Sequence, residues 1–154
     1  MRLTPPEGIS PVAFIPDFEL RTAAARAALP ATVPHGDASF NVARGALLAA
    51  VLSGNAQASG GADLHSLLME ATRDRLHQEQ RRAAMEPSLA LVDWLRGAGF
   101  AAVVSGAGPT VLSLESVGAD IRRDAAAAGW LVVPMGVAPQ GVQITRGSLS
   151  KVEF

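Results

Sequence analysis

The chain has 154 residues, 49% of them hydrophobic and 18% charged, with a formal net charge of −1. That is enough chain to bury one apolar core, and too neutral for a general attraction to nucleic acid or to a membrane surface. No cysteine is present, which excludes disulfides, thiolate nucleophiles and cysteine–zinc sites and fits a cytoplasmic protein. No uninterrupted apolar run of ~18 residues occurs, so neither a membrane span nor a secretory leader is expected.

In chain order, Thr4-Pro5-Pro6-Glu7-Gly8 reads as a turn, and Val12 to Ile15 as a short strand between Pro11 and Pro16. The flanking prolines favour an edge position over a central one. Thr22 is placed to cap a helix over residues 23–29, which Pro30 ends. Asp37 opens a helix over residues 38–52, with Phe40, Ala43, Leu47, Leu48 and Val51 on one stripe. Residues 53–62, rich in Ser, Gly and Ala, form a loop. Asp63 caps a helix that runs to about Gln78, with Leu64, Leu67, Leu68 and Ala71 apolar and Arg75 oddly continuing their stripe. Pro87 sits in the first turn of a helix ending at Gly97.

Two β-type runs, residues 101–105 and 110–114, then flank Ser105-Gly106-Ala107-Gly108-Pro109. Glycines there admit positive φ and close approach to the main chain, so the loop offers N–H groups to an anion or is simply a glycine-rich hairpin turn. Its spacing is neither a dinucleotide-binding fingerprint nor a Walker loop. A helix from Ser116 or Gly118 to Ala128, a strand over 131–134 and a last strand over 141–145 complete the order; residues 147–154 form a tail. Segregated helices around a hairpin-containing sheet predict an α+β two-layer sandwich. A ferredoxin-like β-α-β-β-α-β core with helices inserted after the first strand fits, with Val103, Leu112 and Val132 facing inward.

Among polar residues, Asn41 and Arg44 lie at i, i+3 and converge on one target. The cluster from Arg73 to Arg82 places Asp74 one turn before His77, at hydrogen-bonding distance on a helix; it also reads as a solvated helix end. One histidine with one aspartate is too few ligands, and no metal site is expected. Ser105 lacks a nucleophile elbow. Arg44 and Arg81 carry the geometry for two-bonded contact with a carboxylate or phosphate, if the fold brings them together.

Four phrases occur in register: Phe14-Ile15-Pro16-Asp17-Phe18-Glu19-Leu20-Arg21-Thr22, Asp37-Ala38-Ser39-Phe40-Asn41-Val42-Ala43-Arg44, Asp74-Arg75-Leu76-His77-Gln78-Glu79-Gln80-Arg81 and Ser105-Gly106-Ala107-Gly108-Pro109-Thr110. Over about residues 1–146 the chain resembles the C-terminal half of the homoserine kinases, in the galactokinase–homoserine kinase–mevalonate kinase–phosphomevalonate kinase (GHMP) superfamily. The resemblance implies ATP-dependent phosphorylation of L-homoserine to O-phospho-L-homoserine, on the route to threonine. It makes Arg44 and Arg81, with Asn41, the grip on the homoserine carboxylate, and residues 105–109 the third superfamily motif beside the nucleotide. Asp74 and His77 are supporting residues. The family commonly has Pro-Tyr before the second arginine, where this chain has Glu79-Gln80, and Arg82 stands beside Arg81 as the alternative. The superfamily's first motif and its Pro-x-x-x-Gly-Leu-Gly-Ser-Ser-Ala phosphate loop are not in the sequence. ATP and Mg²⁺ are therefore expected to be bound mainly by an N-terminal domain that this chain lacks, and the chain alone is expected to be inactive. The alternatives are a sister kinase with another alcohol substrate, an amino-acid-binding ferredoxin-like module and a dimerisation fragment; a homodimer stays open as an assembly.

Overall fold

The computed structural model describes residues 4–54 and 63–138. The expected loop over 53–62, the last strand over 141–145 and the tail over 147–154 lie wholly or largely outside those residues. The described elements are β1 (Val12–Ile15), α1 (Thr22–Ala27), α2 (His35–Leu52), α3 (Leu64–Ala71), a 3-10 segment (Glu79–Ala84), α4 (Glu86–Gly97), β2 (Ala102–Val104), β3 (Val111–Ser113), α5 (Ala119–Ala127) and β4 (Leu131–Pro134). The four strands make one antiparallel sheet in the order β2-β3-β1-β4. With helices between β1 and β2 and between β3 and β4, this is the ferredoxin-like α+β arrangement.

β1 is interior, contrary to the edge position expected from its flanking prolines. Pro11 and Pro16 fall just outside the paired residues, so no ladder donor is lost; Pro11 even accepts a bond from the Met135 N–H at 2.8 Å. Val12 and Phe14 are buried with Ala102 and Val111 against Leu91, Val92 and Leu95 of α4 and Ala125 of α5. Val132 packs on that core as expected. Val103 and Leu112 do not: they pair with each other and with Ala13, one residue out of phase with the core side, so they point to the opposite face of the sheet. Ala102 and Val111 fill the core positions instead, both fully buried.

α2 and α3 form a second unit beside the sheet, with Val51, Leu68 and Ala101 at its centre and Leu47, Leu48, Leu64 and Leu114 around them. Ala43, expected on the inward stripe of α2, is exposed. α2 begins at His35, two residues before Asp37; α1 has Arg21 as its N-cap residue, so Thr22 is the first helical residue rather than the cap. Asp63 caps α3 as read from sequence, its carboxylate accepting the Ser66 N–H at 2.8 Å.

α3 stops at Ala71, not near Gln78, because side chains capture the N–H groups that would continue it. The Asn41 amide oxygen takes the Arg75 N–H at 2.9 Å, and the Asp74 carboxylate takes those of His77 and Gln78 at 2.8 and 2.7 Å. Arg96 seals the end by donating to the Met69 carbonyl at 2.8 Å and the Thr72 hydroxyl at 2.9 Å. Arg75 is thus released from the helix stripe where it looked misplaced.

The turn between β2 and β3 requires glycine at one point in particular. Gly108 has φ +82, and a Cβ there would meet Met85 Sδ at 2.8 Å and Val104 Cγ1 at 3.0 Å. Met85 is itself buried, so its thioether end has to repack to make room. Gly108→Ala is expected to lower stability by about 2–4 kcal/mol, from the left-handed backbone and overpacking together. Gly36→Ala in α2, where a Cβ meets nothing within 4 Å, is the control expected to be neutral or slightly stabilising; urea denaturation of both variants measures the difference.

Candidate functional site

Where α2, the turn after α3 and the end of β2 meet, they enclose a cleft of about 400 Å³. Asn41 and Arg44 reach it from α2, Asp74, His77 and Arg81 from the turn and the 3-10 segment, and Gly106 from the glycine loop. The fold therefore brings these six expected residues to one place from three separate stretches of chain. Ser105, Ala107, Gly108 and Pro109 are behind it. Ala107 packs toward Ala25, Met85 and Leu89, and the Pro109 carbonyl accepts the Ser88 hydroxyl at 2.6 Å.

Asp74 is the hub. Its Oδ1 accepts from the Asn41 amide at 2.6 Å and faces His77 Nδ1 at 3.0 Å; its Oδ2 accepts the two backbone N–H groups of His77 and Gln78. Because a carboxylate only accepts, His77 donates from Nδ1. Burial pushes the Asp74 carboxyl up, but the bonds from Gln78, His77 and Asn41 outweigh it and hold the group down at about 2. The expected Asp74–His77 contact exists, in a turn and not on a helix face.

Arg44 is bonded through Nη1 to Glu70 at 2.5 Å, and its guanidinium lies 4.7 Å from the Phe40 ring centre. Its Nε is buried and has no hydrogen-bond partner among the described residues. Arg73 and Arg75 stand over the same ring at 5.5 and 4.0 Å, balanced by Glu70 at 3.2 Å and Asp37 at 3.4 Å. Three guanidinium groups thus gather around one aromatic ring, an arrangement stabilised by the ring quadrupole and two carboxylates. Arg81, in a 3-10 segment and not at the end of a helix, donates from Nε to the Ala25 carbonyl and from Nη1 to the Gly106 carbonyl, both at 3.2 Å. Arg82 points elsewhere: it is bonded to Glu79 and Asp93 outside the cleft.

Sequence reasoning missed Glu70, Phe40 as a platform, and Gln78, whose side-chain oxygen accepts the Val104 N–H at 2.8 Å. Only the Glu70–Arg73 spacing was a signal on the page; the other contacts cross between elements. The glycine loop also offers less to an anion than its composition suggested. The Ser105 N–H bonds the Thr110 carbonyl at 2.8 Å and the Gly108 N–H bonds the Ser105 carbonyl at 3.0 Å. Among the described residues no group of three or more His, Asp or Glu is placed to hold a metal ion. No helix among them is long and apolar enough to cross a membrane.

A family model described as the C-terminal domain of GHMP kinases matches residues 47–128, and the chain belongs to that family. It is 42% identical over 145 residues to a homoserine kinase of Streptomyces coelicolor, covering 94% of this chain and 44% of that protein. It is 46% identical over 129 residues to one from Rhodococcus opacus, covering 82% and 38%. The chain therefore spans less than half the length of the curated relatives it matches. A crystal structure of homoserine kinase from Cytophaga hutchinsonii has the same fold, with a TM-score of 0.70 at 22% identity over 92% of this chain and 45% of that one.

The Asp74 carboxylate gives a signed pH dependence. Its folded value lies below the ordinary aspartate value of 3.8, so its contribution is complete above the unfolded pKa and is lost as pH falls toward 2. The stability advantage of the native chain over Asp74→Asn, expected to include about 1–2 kcal/mol from this titration, should shrink between about pH 5 and 2. Urea unfolding of the two proteins across that range checks it.

Proposed function

We propose that this chain is the amino-acid-gripping part of a homoserine kinase, which moves the γ-phosphoryl group of ATP onto the side-chain hydroxyl of L-homoserine. The observation that carries the reading is the convergence of Arg44 and Arg81, from separate stretches of chain, on one cleft beside Gly106. Glu70 holds Nη1 of Arg44 and so fixes the guanidinium at the cleft wall, and a planar carboxylate is the group that arginine takes in paired bonds. Arg81 adds positive charge from across the cleft while tied to the glycine loop. The names of the relatives supply the substrate: a small amino acid with a free carboxylate and a terminal hydroxyl.

In this reading phosphoryl transfer proceeds by positioning and charge stabilisation, and no base is required of these residues. His77 is a structural donor to Asp74, not a general base, and Asp74, already accepting four bonds, has none to spare for the substrate ammonium. ATP and Mg²⁺ are held mainly by the N-terminal part that the longer relatives possess.

The test joins this chain behind the N-terminal half of the Streptomyces coelicolor relative and assays ATP-dependent phosphorylation of L-homoserine. The chain alone is expected to show no turnover, and the fusion is expected to be active. In the fusion, Arg44→Ala should lower kcat/KM for homoserine by roughly 30-fold or more, through KM, because losing one partner of a desolvated charged pair costs about 2–5 kcal/mol. KM for ATP should stay within about twofold, and Arg82→Ala should change neither constant appreciably. Turnover by the chain alone, or sensitivity at Arg82 with none at Arg44, overturns the assignment.

A further inference from the structure

Among the described residues β2 is an edge strand, with no strand paired on its outer side. Ala101 and Ser105 turn theirs inward, to Leu114 and Thr110, which leaves Ala102 and Val104 facing out. The Ala102 N–H bonds the Phe100 carbonyl at 2.8 Å, and side chains take two of the other groups: Arg96 donates to the Ala102 carbonyl at 3.2 Å, and Gln78 accepts the Val104 N–H at 2.8 Å. Water would serve an edge N–H equally well, so a side chain that reaches across 26 positions to do so joins two segments.

The segments it joins are the two halves of the cleft. Gln78 is fixed through its own N–H to Asp74 at 2.7 Å, and its carbonyl accepts the Arg81 N–H at 3.1 Å. Two residues beyond Val104, the Gly106 carbonyl accepts Arg81 Nη1. The path from the Gln78 side chain through Val104, Gly106 and the Arg81 side chain back to the Gln78 backbone is therefore a closed ring of hydrogen bonds and short chain. Gly106 has φ +60, and a Cβ placed there would meet nothing within 4 Å. At Gly106 itself the ring holds the loop, while Val104 and Ala107 on either side pack on the Ala25, Met85 and Leu89 cluster.

We infer that Gln78 is a positioning residue that sets the glycine loop against the Arg81 guanidinium and so tunes the grip on an anionic amino-acid substrate. The homoserine kinase reading is needed only for the identity of that ligand; the coupling itself stands on the ring.

The experiment uses the ¹⁵N-labelled chain with Gln78→Leu, Gln78→Asn (too short to reach Val104) and Gln78→Glu (which keeps an acceptor). Val104 hydrogen exchange, the Arg81 Nε–H resonance and L-homoserine affinity are followed by NMR. The Leu and Asn variants are expected to speed Val104 exchange about tenfold, shift the Arg81 resonance and weaken homoserine binding about fivefold, while Glu keeps Val104 exchange within about twofold of the native chain. Faster Val104 exchange with an unmoved Arg81 resonance and unchanged affinity makes Gln78 an edge cap only and overturns the inference. A native chain that does not bind L-homoserine, but whose Arg81 resonance still moves in Gln78→Asn, overturns the ligand assignment and supports the coupling.

Discussion

The Asp74 carboxylate accepts hydrogen bonds from Asn41 on α2, from the His77 ring and from the N–H groups of His77 and Gln78. Everything that defines the cleft passes through it. By capturing those N–H groups it forbids α3 to continue, and the chain must turn where Arg73 and Arg75 stand over Phe40. By bonding Asn41 it ties that turn to the helix that carries Arg44. A fully satisfied polar hub of this kind is favourable only because each acceptor position is filled; losing one donor leaves a part-buried charge short of a partner.

Charge in the cleft is arranged around a second constraint, the crowding of like charges. Arg44, Arg73 and Arg75 gather around the Phe40 ring, and two carboxylates, Glu70 and Asp37, balance them. Glu70 bridges Arg44 and Arg73, so neither guanidinium is free to swing, and a net positive charge remains for an incoming anion. Arg96, half-buried, donates to two backbone carbonyls and the Thr72 hydroxyl; burial, and then the nearby Arg73, lower its pKa without removing its charge. It closes the end of α3 where the negative end of the helix favours a cation.

Local signals in the sequence determined most of the elements. Proline and glycine punctuation, the Asp63 cap, the alternation of the hairpin and the spacing of α4 and α5 are short-range properties, and they survive into the fold with ends shifted by a residue or two. The order of elements was enough for the ferredoxin-like sheet, because few topologies place a hairpin and two crossovers in one antiparallel sheet. The four phrases carried the family, since side chains in register over most of the chain are a stronger signal than any one motif.

Tertiary structure alone decided what depends on partners distant in sequence. The facing of Val103 and Leu112 turns on a one-residue phase that two short strands of alternating apolar residues do not fix; Ala102 and Val111 fit under α4, and the phase follows. α3 reads as helix through Gln78 because its composition favours helix, and it stops because Asn41, more than thirty residues earlier, offers a better acceptor to the Arg75 N–H. For the same reason the pairing of Arg44 with Glu70 and the bond from Gln78 to Val104 left no mark in the sequence. Long-range hydrogen bonds are set by the meeting of elements, and a single sequence records the groups that bond but not their meeting.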